Sequence, residues 1–423
     1  MKNKILIGMS LLVVLFFSAC EKLDYVPADQ LSDNTFWKTE AQAKQAVVGL
    51  YQAMKQPWCF GREFTFDMIS DIADGSSPWE DISRGVSFSS SSAGVQNHFQ
   101  ALYELIHRSN TVIRNVAKMD IGAASIDQIT GEAKFLRAFA YFRLLNAWGG
   151  VPYYDETTDI NEDYAKVTNP KSTAEEIRAH IIADLTESIN KLPVKWGSSD
   201  YGRATKGAAY ALRGKVYLFQ KQWAKAIADF EEIVYNKSED YGYALNDSYE
   251  DLFRLYNGKH SKEMIFSIQS IDGNVAGYAL DIVSYFGNKA TMRLIASNLI
   301  VPSTTLVDLY QNKDGSAFHW DDVYPGFNNG TSAFRRDKLS VAIDQGSTVI
   351  TSTLNADTAK IRKVYTERDP RLEWNVITPY SHYLGTNAAS VPKDKQFVLA
   401  DASKGGAPME AFAFMRNSEG WNS

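Results

Sequence analysis

Asp67, Asp71, Asp74, Glu80 and Asp81 crowd one short stretch together with Trp79 and Arg84. Carboxylates, a guanidinium and a flat indole are what a site for a hydroxyl-rich ring needs. The aromatic face meets the apolar face of a pyranose, and the charged groups bind its hydroxyls. The same residues also suit a solvated acidic loop. A second stretch, 278–320, carries Tyr278, Tyr285, Phe286, Arg293 and Trp320, spaced by Gly and Asn as exposed loops are. Each of those rings serves core packing as readily as ligand contact. If Trp79 faces a ligand its ring is exposed, and its truncation costs affinity rather than stability.

Other chemistries find little support. A glycosidase needs two carboxylates at a set separation, and nothing marks two of these as a pair. The six His residues are scattered at 98, 107, 180, 260, 319 and 382, with no His-Glu-x-x-His pattern. There is no Gly-x-Ser-x-Gly elbow and no phosphate-cradling glycine loop. Asp321-Asp322 reads as a turn before a calcium site. The expectation is therefore a binding protein without catalytic residues, metal or cofactor.

Periodic helices must position these groups. Thr39 and Gln42 have capping-box spacing, and 41–55 reads as a helix with Ala43, Ala46, Val47, Leu50 and Met54 on its buried face. Residues 57–95 lack a helical period and read as a loop excursion. Helices follow over 97–119, over 125–148 (one helix or a pair, ended by Gly149-Gly150), and over 172–192. The last opens on two overlapping capping boxes, Ser172 with Glu175 and Thr173 with Glu176. A helical hairpin spans 205–219 and 223–236. Beyond Ser238 the period fades, and 264–268 looks extended or strand-like.

The hairpin carries tetratricopeptide spacing. Gly214 is the small residue where two helices cross, Tyr210 and Tyr217 flank it, and Ala226 with Phe230 form the small-then-aromatic pair of the second helix. Arg213 departs from the usual Leu. Phe135, Ala138 and Tyr141 imitate the first helix of another unit, and such units must stack to bury their faces. The fold class expected is mainly α: a scaffold of tetratricopeptide-like helical pairs over 39–237, and an irregular, loop-rich ligand-binding part over 238–423.

The bulk numbers narrow the partners. The chain has 423 residues, room for one large domain or a few ordinary ones, and 45% hydrophobic residues supply a core. Its formal charge of −6 argues against nucleic acid or anionic headgroups. At the start, Lys2 and Lys4 precede an apolar run from Ile5 to Phe17, followed by Ser18-Ala19-Cys20. That is a secretory signal over 1–19, too short to span a bilayer, which takes about 20 residues. Its Ser-Ala-Cys ending resembles the lipobox of bacterial lipoproteins. In that class the cysteine, here Cys20, is lipidated and becomes the new N-terminus, which makes 20–38 a membrane tether. Beyond Cys20 only Cys59 remains, so no internal disulfide is expected.

Three further stretches carry a family resemblance. They are Gly131-Glu132-Ala133-Lys134-Phe135-Leu136-Arg137-Ala138 continuing to Trp148-Gly149-Gly150-Val151-Pro152, the hairpin from Arg203 to Phe230, and Arg368-Asp369-Pro370-Arg371-Leu372. With Cys20 and Asp33-Asn34-Thr35-Phe36-Trp37, the chain resembles the SusD/RagB family of outer-membrane nutrient-binding lipoproteins of Bacteroidota. The resemblance implies a lid over a SusC-like TonB-dependent β-barrel, glycan as the usual ligand, and no catalysis. Some members handle peptides. A protein-binding repeat scaffold and, last, a glycoside hydrolase are the other readings. In the family, ligand aromatics often come from the early loop and from the segment after the hairpin, here the regions of Trp79 and of 278–320. Members usually continue to a C-terminal helical segment with an Arg-Leu-Ala-Glu-like motif. This chain stops at Ser423 without it, which reads as a truncated sequence or an absent last repeat, with an apolar face left exposed.

Overall fold

A computed structural model describes residues 36–75, 79, 82, 89–158, 169–236, 238–253, 261–269, 300–343, 350–352, 357–386, 392–401 and 412–417. Six helices form the scaffold: α1 (Glu40–Met54), α2 (Ala93–Val116), α3 (Ala123–Trp148), α4 (Ala174–Lys191), α5 (Lys206–Phe219) and α6 (Trp223–Tyr235). The capping box that opens α1 is formed: the Gln42 amide N–H donates to the Thr39 hydroxyl, and the Thr39 N–H donates to the Gln42 side chain at 3.0 Å. Of the two boxes before α4, Thr173 with Glu176 is the one used. The N–H of Ser172 is drawn instead to the Val151 carbonyl. α3 is one unbroken helix, and Gly149 ends it at φ +72°, a conformation that strains any residue bearing a Cβ.

α3 is the centre of the core. From Ile129 to Leu145 nearly every side chain is buried, on all faces, as befits a helix packed between neighbours. α2 and α4 cover its two sides. Its buried charged residues, Glu132, Lys134 and Arg137, each have a partner on another element. Arg137 reaches Asp184 on α4 and Asn110 on α2. Glu132 accepts from the Tyr51 hydroxyl of α1 at 2.6 Å and from Arg203 Nε at 2.9 Å.

The α5–α6 hairpin carries the tetratricopeptide logic in its contacts. A Cβ on Gly214 would sit 2.7 Å from the Phe230 ring, so only glycine lets the two helices approach this closely. Arg213, the departure from the usual pattern, has its own use. Its guanidinium forks onto Asp229 of α6 at 2.9 and 2.7 Å, replacing an apolar contact by a bidentate one. Trp223, Ile227 and Val234 recur along the outer face of α6 and are more than half exposed.

The early excursion folds back onto this scaffold. A π-turn (Pro57–Gly61) and a 3₁₀ segment (Glu63–Ile69) bury Cys59, Thr65 and Met68. Next to them His98 of α2 is 2% exposed among Phe66, Trp79 and Trp148. Its Nδ1 lies 2.6 Å from the Trp58 carbonyl. A carbonyl only accepts, so Nδ1 carries the proton. Burial pushes the His98 pKa down to about 4. Below pH 6.5 the unfolded chain takes up a proton that the fold refuses until about pH 4, so stability is lost as pH falls through that window. We expect about 2 kcal/mol of lost unfolding free energy between pH 7 and 5 from this residue. Denaturant melts of the wild type against His98→Gln check it; equal slopes in the two proteins would show that His98 titrates freely.

The C-terminal part adds two sheets to the helical scaffold. β1 (Ala73–Gly75) pairs antiparallel with β2 (Ile300–Pro302), joining the excursion to the second half of the chain. A five-stranded mixed sheet is built on β6 (Pro392–Asp401). One edge of β6 takes β5 (His382–Thr386) antiparallel and, at its other end, β3 (Val341–Ile343) in parallel. β7 (Phe412–Asn417) lies on the opposite edge, and β4 (Ile350–Ser352) extends β3. The strand pattern is hidden in the sequence because β6 opens with Pro392-Lys393-Asp394-Lys395, which has no apolar alternation. Residues 264–268 form no strand; Ile265, Phe266 and Ile268 pack on the scaffold, with Phe266 edge-on to Phe135. A second core gathers Trp320, Tyr324, Phe327, Ile361, Tyr365, Leu372 and Tyr380.

Candidate functional site

An open cleft of about 310 Å³ is lined by Tyr249, by Leu306, Leu309, Tyr310 and Gln311, and by Asp369, Arg371 and Asn375. Its floor starts at the short helix Thr304–Leu309, which follows β2 directly. Ser303 caps that helix by accepting from the Leu306 N–H at 3.0 Å, and its own hydroxyl donates to the Asp71 carbonyl. The other end is held by Arg368. Its guanidinium donates to the carbonyls of Val307 and Tyr310 and stacks over the Phe318 ring at 3.8 Å. A cation at a helix C-terminus satisfies carbonyls that the helix leaves open. Arg368 is 1% exposed, and burial lowers its pKa. It acts by positioning Tyr310.

Asp369 sets the opposite wall. Its N–H donates to the Gln311 carbonyl at 2.8 Å, and its carboxylate accepts from the N–H and the guanidinium of Arg371. The Arg371 hydrogen bonds hold the Asp369 pKa below the usual carboxylate range. The helix Arg371–Asn375 then brings Asn375 between two phenols. The Tyr249 hydroxyl donates to Asn375 Oδ1 at 3.0 Å, and Asn375 Nδ2 donates to the Tyr310 hydroxyl at 2.8 Å. Tyr310 thus accepts in this relay and keeps its own proton for a ligand. Leu309 is 68% exposed at the rim, and Trp374 is half exposed beside Asn375. The cleft offers rings, an amide, a phenol and apolar edges. Among the described residues of its lining the one carboxylate is Asp369, engaged by Arg371.

The residues singled out in the sequence fall differently. Trp79 is 5% exposed. Its Nε1 donates to the Thr65 hydroxyl at 2.9 Å, and its ring lies 4.8 Å from Phe66 and 5.8 Å from His98. This corrects the expectation of an exposed platform: the indole closes the excursion against α2. Trp320 is corrected in the same way. It is 8% exposed, stacks on Phe327 at 4.8 Å and donates to Asp308 at 3.0 Å. Asp71 and Asp74 are exposed at the β1–β2 pair, and the Asp71 backbone touches the cap of the helix that floors the cleft. Arg84, Tyr278, Tyr285, Phe286 and Arg293 lie outside the described residues. Asp321 accepts from the Asn328 N–H at 3.0 Å, as a turn aspartate does. Tyr249, Tyr310, Gln311, Arg371 and Asn375 were not singled out. One signal was available: Arg368-Asp369-Pro370-Arg371 combines two guanidinium groups and a carboxylate around a proline turn.

The architecture is a helical-repeat scaffold carrying an open aromatic and amide cleft; no helix among the described residues is long and apolar enough to cross a membrane. Residues 23–218 match the family described as "Starch-binding associating with outer membrane", and residues 262–417 match the one described as "SusD family". The chain belongs to the SusD/RagB family. SusD-like protein P25 of Formosa agariphila is 27% identical over 282 residues, 63% of this chain and 52% of that protein. A SusD-like protein of Bacteroides ovatus is 27% identical over 290 residues, 64% of this chain and 50% of its own length. The chain spans about half the length of the curated relatives it matches. Among solved structures, a SusD-like protein from Bacteroides fragilis superposes with a TM-score of 0.64 at 24% identity, over 86% of this chain and 65% of that one. A SusD-like carbohydrate binding protein from the same species gives 0.64 at 20% identity, over 84% and 62%.

Proposed function

We propose that this protein captures glycan in the Tyr249–Asn375–Tyr310 cleft and delivers it to a SusC-like TonB-dependent β-barrel in the outer membrane, without catalysis. The observation that carries the reading is the relay itself: two phenols bridged by one amide, with Leu309 and Gln311 beside them, in a chain of a starch-binding family. A pyranose presents hydroxyls to the amide and phenol and an apolar face to the rings. The name of the carbohydrate-binding relative from Bacteroides fragilis supports the same ligand class. In this reading Cys20 carries the lipid anchor facing the cell exterior, residues 20–38 form the tether, 39–237 the scaffold, and 238–423 the ligand-binding part.

A glycan array with product analysis tests the proposal. Binding without new reducing ends is the expected outcome. Tyr310→Ala weakens the best hit about tenfold, on the scale of aromatic stacking on a ring ligand, with a smaller loss of stability than truncation of a fully buried ring, because Tyr310 is only half-buried against the second core. Released oligosaccharide would make the protein an enzyme, and binding confined to peptides would replace the ligand class. Acyl labelling of cells reports the anchor, and label retained in Cys20→Ala would refute it.

A further inference from the structure

A second cleft, of about 260 Å³, opens between the α4–α5 connection and the segment that follows α6. Lys195, Trp196, Tyr201 and Arg203 line one side, and Tyr243 and Lys262 belong to the other. Among the described residues that line it there is no Asp or Glu, while three are cationic. Their charges are not equally engaged. Arg203 is committed to Glu132, whose side chain is fully buried, and to Asp200 at 2.7 Å. Lys195 pairs at 2.7 Å with Asp240, whose side chain is 86% exposed, and a pair so open to water is weakly held. Lys262 is exposed and forms none of the ion pairs among the described residues.

The rings are fixed. Trp196 Nε1 donates to the Ala204 carbonyl at 2.7 Å, and the Arg203 guanidinium covers its face at 4.2 Å. The Tyr243 hydroxyl is hydrogen-bonded to Thr205 at 3.0 Å. Tyr201 stands 38% exposed at the rim. The contrast with the first cleft is electrostatic. There the cation, Arg371, is closed by Asp369; here Lys262 and Lys195 face the space with no carboxylate among the described lining residues.

We propose that this cleft is a second saccharide site that takes an anionic sugar unit, a uronate carboxylate or a sulfate ester. The pyranose lies against Tyr201, and its anion meets Lys262, with Lys195 released from Asp240. The proposal rests on the reading that the chain binds glycan, and it adds a charge preference at a different place. A ligand long enough to reach both clefts gains by effective concentration.

Calorimetric titration of the full chain tests it, with trigalacturonate, a sulfated galactan tetrasaccharide, maltohexaose and hexaglutamate as probes. At least one acidic oligosaccharide binds, more weakly at about 500 mM than at about 50 mM NaCl. Lys262→Ala weakens it about fivefold, Lys262→Arg restores it, and Tyr201→Ala weakens it about tenfold. Both side chains are exposed, so melting curves stay at wild type. In Tyr310→Ala the salt-dependent, Lys262-dependent part of acidic binding persists. No acidic oligosaccharide binding at all overturns the proposal. So does acidic binding that survives both Lys262→Ala and Tyr201→Ala but is lost in Tyr310→Ala. Hexaglutamate binding with the same variant pattern makes this a peptide site and overturns it too. Acidic binding with maltohexaose rejected supports the charge preference of this cleft.

Discussion

Arg137→Ala lowers the unfolding free energy by about 3–5 kcal/mol, the cost of stranding a buried charge. Arg137 is 2% exposed at the centre of α3. Its Nε and Nη2 fork onto Asp184 at 2.8 and 2.7 Å, and its Nη1 reaches Asn110 at 2.7 Å and Glu156 at 2.5 Å. α2, α3, α4 and the connection after α3 thus meet at one guanidinium. Removing it leaves the Asp184 carboxylate, 6% exposed, with only Lys134 at 3.7 Å. Arg137→Lys keeps the charge but not the fork, and falls between. The double variant Arg137→Met with Asp184→Leu loses less than the sum of the singles, because both charges leave the core together. Denaturant midpoints at constant m-value are the measurement. A loss under about 1 kcal/mol for Arg137→Ala, a value typical of exposed pairs, would show that water reaches Asp184 and would remove this network as the clasp of the scaffold.

The elements that the clasp joins were legible in the sequence, and the cleft was not. Helix caps, Gly214 with Phe230, and the glycine stop after Trp148 are local devices, readable within a few positions. The cleft is assembled from afar: Tyr249 and Asn375 are 126 positions apart, and nothing near either residue announces the other. Aromatic composition misleads for a related reason. An indole among aspartates reads the same whether it faces water or covers a core. What decides for Trp79 is His98, and for Trp320 it is Asp308 and Phe327, none of them adjacent in sequence. Arg368 and Asp369 are the intermediate case. Their residue types were in view, but an arginine that caps a helix 58 positions earlier cannot be told from a surface arginine without the helix.

Trp79→Ala costs about 3–5 kcal/mol of stability, as large-to-small changes of buried aromatics do, and leaves the glycan affinity of the folded protein unchanged. The ring is 5% exposed and packs on Phe66 and His98, so its removal opens a cavity between the excursion and α2. The excursion reaches the first cleft through the β1–β2 pair and the hydrogen bonds of Ser303 to the Asp71 and Ile72 carbonyls, contacts that the indole does not make. Trp79→Phe separates packing from hydrogen bonding. It keeps a ring in place but leaves the Thr65 hydroxyl without its 2.9 Å donor, at about 1 kcal/mol. Tyr310→Ala shows the reverse weighting, with affinity lost and a smaller loss of stability from its half-buried ring, so melting and titration of the two variants side by side form one experiment. If Trp79→Ala melted like the wild type and bound glycan more weakly, the indole would be turned to the ligand, and the excursion rather than the Tyr249–Tyr310 cleft would hold the sugar.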